Sequence, residues 1–201
     1  MGVVSPASAV PRYYSLASGR EDGFVEICVS QTPGGLCSTH LLGLQPGDRI
    51  EAFIRSNPGF SLPRTRRPVV LIGAGTGVAP LAGFIRRNDR HVLMHLYFGG
   101  RHPARDFYFG AETKRWRGDG RLATVHTAFS RVPESGGYVQ DAVRRDAKRL
   151  RRLVAQGAIL RVCGGRAMAQ GVTEALDAVL APLRLSVLQL KAKERYAEDI
   201  F

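Results

Sequence analysis

Residues 69–80 read Val69-Val70-Leu71-Ile72-Gly73-Ala74-Gly75-Thr76-Gly77-Val78-Ala79-Pro80, and their reading decides the fold. Four apolar residues in a row, three of them β-branched, suit a strand buried on both faces, as in a parallel sheet. Three glycines at alternate positions end the run, and a helical pattern follows over 78–87. A glycine turn between strand and helix lets a pyrophosphate approach backbone N–H groups at the helix N-terminus. The plain alternative is a tight turn that needs positive φ. The uncharged run 68–85 is long enough for a bilayer span, but Gly73, Gly75, Gly77 and Pro80 interrupt it. Strand, turn and buried helix explain it better, and no other stretch could span a membrane.

Downstream, apolar runs alternate with helical stretches. Strands are predicted at 92–98, 122–127, 158–163 and 186–190, and helices at 106–116, 138–155 and 167–180. That alternation makes the fold class α/β, a doubly wound parallel five-stranded sheet with helices on both faces. Ligands of such sheets sit at the carboxyl ends of the strands, so Gly73, Gly99, Ser130 and Cys163 should face one cleft. Upstream, 23–30 and 48–55 alternate apolar and polar residues, as half-exposed antiparallel strands do. Between them Ser38 is expected to cap a short helix over 39–42, behind the loop 33–37. The chain thus divides into a small antiparallel part, 1–66, and a βαβ part, 67–201, joined by a linker at 63–68 that holds three arginines.

Composition sets the outer limits. With 201 residues, 44% hydrophobic and 23% charged, the chain can bury a core, and 23 glycines with 11 prolines argue against a helical bundle. Twenty-nine Lys and Arg against 17 Asp and Glu leave +12, a field that attracts nucleic acid, anionic lipid, acidic proteins or phosphorylated molecules. Cys28, Cys37 and Cys163 have no Cys-x-x-Cys spacing and the five histidines no metal-ligand pattern, so no metal site is expected and a reducing, cytoplasmic setting fits. Residues 1–10 lack a secretory signal, and Pro6 stands where a myristoylation motif needs Ser or Thr. The basic run 144–152 reads first as a solvated helix face. A docking surface for an acidic carrier is the functional alternative. Nucleic-acid binding is not expected, because no aromatics are interleaved with these cations.

Four further motifs carry chemistry. Ser130-Arg131, with Tyr138 beyond the loop 134–137, offers a guanidinium and hydroxyls suited to a phosphate dianion, although a solvated loop arginine is an equal reading. Cys163-Gly164-Gly165 ends a buried strand, where a cysteine more often packs than reacts. Arg12-Tyr13-Tyr14-Ser15 combines a cation, aromatic rings and a hydroxyl that could hold a flavin. The C-terminal Arg195-Tyr196-Ala197-Glu198-Asp199-Ile200-Phe201 reads on its own as a loose tail.

In order along the chain, Arg12-Tyr13-Tyr14-Ser15, Gly35-Leu36-Cys37-Ser38, Gly73 to Pro80, Ser130-Arg131 with Tyr138-Val139-Gln140-Asp141, Cys163-Gly164 and Asp199-Ile200-Phe201 resemble the ferredoxin-NADP reductase family. The similarity is greatest to the C-terminal FAD and NADPH part of diflavin reductases, the NADPH-haemoprotein reductase and sulfite reductase flavoprotein type, and covers the chain from Pro11 onward. The resemblance implies that Arg12, Tyr13, Tyr14 and Ser15 bind FAD, with Gly35, Leu36, Cys37 and Ser38 at its pyrophosphate. It implies that Gly75, Thr76 and Gly77 hold the NADPH pyrophosphate, and that Arg101, Ser130, Arg131, Tyr138 and Gln140 also contact NADPH. Ser15, Cys163 and Asp199 would be the catalytic residues around hydride transfer to flavin N5, Gly164 would line the nicotinamide site, and Phe201 would cover the flavin.

The implied activity is an NADPH-dependent flavoprotein reductase passing single electrons to an FMN domain, a flavodoxin-like carrier, a ferredoxin or a haem. Three departures qualify it. Gly136 and Gly137 stand in a loop that usually holds a Lys, so NADPH preference would rest on Ser130 and Arg131. Gly165 replaces an acidic residue, and Phe201 a Trp. Only eleven residues precede Arg12, so the antiparallel β-barrel of the FAD part is expected to be incomplete. The chain is then expected to be the C-terminal part of a larger reductase, or a truncated module that binds NADPH and needs a partner segment.

Overall fold

The computed structural model describes residues 2–3, 11–132 and 136–201. The readings made on residues 1–10 and on the first half of the 134–137 loop fall largely outside the described residues. In the N-terminal layer, β1 (Gly2–Val3), β2 (Arg12–Tyr13) and β3 (Ala52–Phe53) form a three-stranded antiparallel sheet, with α1 (Leu36–Gly43) in the intervening segment. After it come β4 (Val69–Ala74), α2 (Val78–Arg86), β5 (Met94–Gly100), α3 (Pro103–Asp106), α4 (Gly110–Gly118) and β6 (Thr124–Phe129). Then follow α5 (Val139–Arg145), α6 (Ala147–Ala155), β7 (Ile159–Gly164), α7 (Arg166–Leu180), α8 (Val187–Ala192) and β8 (Tyr196–Ile200).

The second sheet is all parallel, in the order β6-β5-β4-β7-β8. Side chains of a strand point alternately to its two faces, and β4 shows what that builds. Val70 and Ile72 join one core with Val139, Leu150, Val172 and Leu190 from α5 to α8. Val69 and Leu71 join the other with Leu81 and Ile85 of α2 and Trp116 of α4. All four β4 side chains are fully buried, so each contributes about 1.5–3 kcal/mol of transfer free energy, and the continuous apolar run 69–72 is explained. The strand order reverses between β4 and β7, where Gly73 and Cys163 lie side by side at the carboxyl ends. Such a switch point opens a crevice for a ligand.

Several expectations need correction. The fifth strand is β8, not 186–190. Residues 187–192 are helical because Ser186 and Gln189 form a capping box, with the Gln189 N–H donating to Ser186 Oγ at 3.3 Å. Val187 and Leu190, one turn apart, are buried, while Leu188 between them is 75% exposed. The tail is accordingly an ordered edge strand, held by Lys191 Nζ on Glu198 at 2.6 Å and by the buried ring of Tyr196. The single helix expected at 138–155 is two, broken at Asp146. Of the strands expected at 23–30 and 48–55, only Ala52–Phe53 and an isolated Leu16–Ile27 bridge form. Ser38 is not an N-cap. Gly35 takes that position, and α1 starts three residues earlier than expected.

Candidate functional site

The crevice at the switch point depends on glycines for close approach. A Cβ on Gly77 would run into the Cys163 carbonyl and come within 2.8 Å of Gly164 Cα, so the turn after β4 can lie against the end of β7 only because that atom is absent. Gly75 has φ +55° and faces open space. From it a cleft of about 740 Å³ extends along the carboxyl ends of β4, β5 and β6, within the range of small-molecule sites.

Gly75, Arg101, Ser130, Tyr138 and Gln140, five of the residues that the resemblance assigns to the coenzyme, line this cleft. The Ser130 N–H donates to the Gly100 carbonyl at 3.0 Å, and the Arg131 N–H to the Arg101 carbonyl at 2.9 Å, which tethers the loop after β6 to the end of β5. Thr76, Gly77 and Arg131 are not among the lining residues; Arg131 is exposed beside the cleft. Asp106 and Tyr108 of the α3 region line it without having been singled out in the sequence. So do Ser30 and Gln31, which close it from the N-terminal layer. The buried Oε1 of Gln140 has no partner among the described residues, an acceptor left for a ligand's donor.

At the next pair of strand ends, β7 and β8 bring three predicted catalytic residues together. Cys163 and Asp199 are neighbours in the parallel ladder. Ser15 donates to Asp199 Oδ2 at 2.8 Å, and the Cys163 thiol lies 4.0 Å from the same oxygen. Asn57, which the sequence reading passed over, donates to the other carboxylate oxygen at 3.4 Å. Burial first, and then the Asp199 charge, push the Cys163 thiol far above its ordinary value, so it stays protonated. The Phe201 N–H donates to the Gly164 carbonyl at 3.3 Å, and its ring is 63% exposed. Gly164 has φ +153°, and a Cβ there would meet Met168.

The predicted flavin residues form a second group beside this one. Tyr14 is pushed up to about 12, by burial and then by its hydrogen bond to the Cys37 thiol, with Arg12 acting in the opposite sense. The Arg12 to Ser15 segment and the Gly35 to Ser38 loop are thereby in contact. Ser38 is buried, donating to the Gly35 carbonyl and accepting from the Thr32 N–H, both at 3.2 Å. Its hydroxyl shapes the loop from within. Leu36 is 90% exposed at the start of α1, and Gly35, with no side chain to cap the helix, leaves the first-turn N–H groups open. Tyr13 departs from the group. Its ring meets Phe53 edge-on at 6.2 Å and takes the Arg55 guanidinium at 5.1 Å, so it is used for packing within the layer.

One further charge lies near the site. Arg161, two residues before Cys163 on β7, is 5% exposed and donates to the Ser61 and Leu160 carbonyls at 2.7 and 2.9 Å. Burial lowers its pKa. It fixes residues 57–61 against β7 and β8, the segment that brings Asn57 to Asp199.

The chain was compared with known proteins. Residues 71–174 match the family described as "Oxidoreductase NAD-binding domain". NADPH oxidoreductase A of Dictyostelium discoideum is 32% identical over 97% of this chain and 34% of its own length. Inducible nitric oxide synthases are 36% identical in both Cavia porcellus and Homo sapiens, over 95% of this chain and 20% and 19% of theirs. The chain therefore spans about a third of the length of the first of these relatives and about a fifth of the others. No helix among the described residues is long and apolar enough to cross a membrane. The glycine crevice, the parallel sheet that carries it and these matches agree: the chain belongs to the oxidoreductase NAD-binding domain family of ferredoxin-NADP reductase type, and the matches are consistent with the C-terminal part of diflavin reductases.

Proposed function

We propose that the chain is an NADPH-dependent flavoprotein reductase module, taking hydride from NADPH onto FAD and releasing electrons singly to an acceptor. The observation that carries this reading is the contact of Ser15, Cys163 and Asp199 at the ends of β7 and β8, beside the glycine crevice. For the coenzyme, the open face of Gly75, the cationic Arg101 and the free acceptor of Gln140 fit a dinucleotide, and Ser130, Arg131 and Tyr138 fit a 2′-phosphate. For the flavin, the uncapped first turn of α1 offers N–H donors to a pyrophosphate, Arg12 a cation and Tyr14 an aromatic face.

FAD, when bound, supplies the hydride acceptor and the step from two-electron to one-electron chemistry. The protein's part is electrostatic and geometric. Asp199, oriented through one oxygen by Ser15 and through the other by Asn57, is a carboxylate that would stabilise positive charge on a nicotinamide bound beside it. The Ser15 hydroxyl, which donates to Asp199, would be the hydrogen-bonding group the protein offers to a bound flavin. Cys163, held as a thiol and fully buried, lies 4.0 Å behind the Asp199 carboxylate and would limit its movement toward the sheet. Phe201 is exposed enough to swing aside for the nicotinamide. The acceptor is an FMN domain, flavodoxin-like carrier, ferredoxin or haem, and the setting is cytoplasmic. The α6 face, whose Lys148 and Arg152 have no carboxylate partner among the described residues, is the docking surface for an acidic carrier.

A second reading has its own observation. Tyr13, Phe24, Val25, Leu36, Leu42, Ile50, Phe53 and Ile54 are all large, apolar and exposed, and all lie in the N-terminal layer. So open a layer favours a module that binds NADPH but retains no flavin alone. An anaerobic visible spectrum of the chain, reconstituted with FAD and mixed with NADPH, separates the two. Bleaching of bound flavin supports the reductase, and tight NADPH binding without retained flavin supports the second reading. Failure to bind either coenzyme would sink both.

A further inference from the structure

A second concave surface lies at the amino ends of the strands. Hollows of about 470 and 650 Å³ meet there and share Thr65 and Arg66. One runs from residues 63–67 to the turn before β8, the other to the turn before β5. Because β5, β4, β7 and β8 are consecutive in the sheet, the turns form a row about 14 Å long, at roughly 4.8 Å per strand. The strands themselves, at about 3.3 Å per residue, hold this row roughly 20 Å from the coenzyme cleft.

The row is cationic. Arg64, Arg66, Arg67, Arg90, Lys193 and Arg195 line it against one carboxylate, Glu194. Asp89, next to Arg90, pairs with Arg121 at 3.7 Å. Among the described residues none of the six cations forms an ion pair, with Glu194 or with any other carboxylate. Arg195 is the fixed member, donating through Nε to the Ala158 carbonyl at 3.1 Å and through Nη2 to the Val154 carbonyl at 2.6 Å. The Arg67 stem lies over Gly157, where an added Cβ would be 3.5 Å from its Cδ, and its N–H donates to Thr65 Oγ1 at 2.9 Å. Burial first, and then the nearby Arg67 charge, lower the pKa of Arg195. Like charges held together without counterions lower the stability of the folded state until an anion joins them.

The geometry points to a binding site for a linear, phosphate-bearing polyanion, separate from the coenzyme cleft. Five of the six cations are guanidinium groups, whose planar forks match phosphate oxygens in pairs, and they converge on a groove rather than crown a flat face. Such a ligand, free or presented as a lipid headgroup, would neutralise the row from Arg90 to Arg195.

The test titrates the whole chain with sodium tripolyphosphate at low salt, with saturating NADP+ keeping the coenzyme cleft occupied. The expected result is saturable binding that raises the melting temperature. Binding should weaken at least tenfold in Arg66→Ala/Arg67→Ala/Lys193→Ala, but less than twofold in a control with equal charge loss on α4, Lys114→Ala/Arg115→Ala/Arg117→Ala. The first variant should melt no lower than the parent without ligand, since it removes repulsion. Co-sedimentation with phosphatidic acid vesicles, but not phosphatidylcholine vesicles, lost in the same variant, would assign the phosphate to a lipid. Equal weakening in both variants, equal binding of polyglutamate, or no binding of tripolyphosphate or anionic vesicles would overturn the proposal.

Discussion

The βαβ part and the N-terminal layer obtain their structure in different ways. In the former, six-residue strands such as β4 and β7 lie between two cores, and each face is closed by helices from the same segment of chain. In the latter, each strand has two residues among the described ones, and eight large apolar side chains are exposed. The two regions meet through directed polar contacts and through Phe60 and Leu62, which pack into the second core. Arg86 of α2 reaches Glu26 and the Ala17 carbonyl at 2.8 and 2.9 Å, Arg161 reaches Ser61, and Asp199 takes Ser15 and Asn57. Polar geometry orients the layer's site residues across this boundary, while the buried ring of Phe60, 5.7 Å from that of Phe84, anchors the end of the layer in the sheet's core.

The largest test of that contrast is in the sheet. Leu71→Ala should destabilise the βαβ part by about 2–5 kcal/mol, because both faces of β4 are closed and cannot collapse into the gap. Trp116, the one tryptophan, is buried in that part, so denaturation followed by its fluorescence reports on it.

Acid should act on the same region. Burial holds His95 down at about 4 against 6.5 for the unfolded chain, with Arg149 and His126 acting in the same sense and Asp146 against it. Above pH 6.5 both states carry a neutral imidazole, and as pH falls toward 4 only the unfolded chain takes up the proton. Stability is therefore full above 6.5 and drops by up to about 3 kcal/mol near pH 4, which urea melts at pH 7 and 5 should begin to reveal and His95→Leu should reduce.

Ser15→Ala tests the boundary. It removes a bond to an ionised carboxylate, an interaction of about 1.5–3 kcal/mol, so flavin reduction by NADPH in stopped flow should slow roughly tenfold to hundredfold with NADPH affinity unchanged. The smallest effect is expected at Ile54→Ala, where a side chain 68% exposed should change the unfolding free energy by less than about 0.5 kcal/mol. A loss comparable to that of Leu71→Ala would mean that the two regions form one cooperative core.

What could be read from the sequence follows the same boundary. The strand, turn and helix at 69–86 were legible because apolar run, glycines and helical period are all local signals. So was the grouping of Ser15, Cys163 and Asp199, through family resemblance. The exchange of α8 for a strand was avoidable, since Ser186 and Gln189 three residues apart are a capping pair and Val187 with Leu190 is a helical spacing. The edge strand Tyr196–Ile200 was not, because one buried tyrosine followed by four half-exposed residues carries no period. Asn57 and Arg161 gave no signal at all. Their partners are 142 and 100 residues away, and nothing in their neighbourhoods marks them. The expected strands of the layer failed for a related reason: alternation favours an extended chain, but a ladder needs a partner.

The protonated state of Cys163 bears on how the protein ages. Peroxide and alkylating reagents attack the thiolate, and oxidation climbs from there toward irreversible acids. Cys28, half-buried, is also pushed up, to about 11, by burial and then by Glu26. The sulfur nearest the site therefore has no shelf-life problem of the kind that afflicts cysteine nucleophiles, and preparations handled in air should keep this part of the site intact without added reductant.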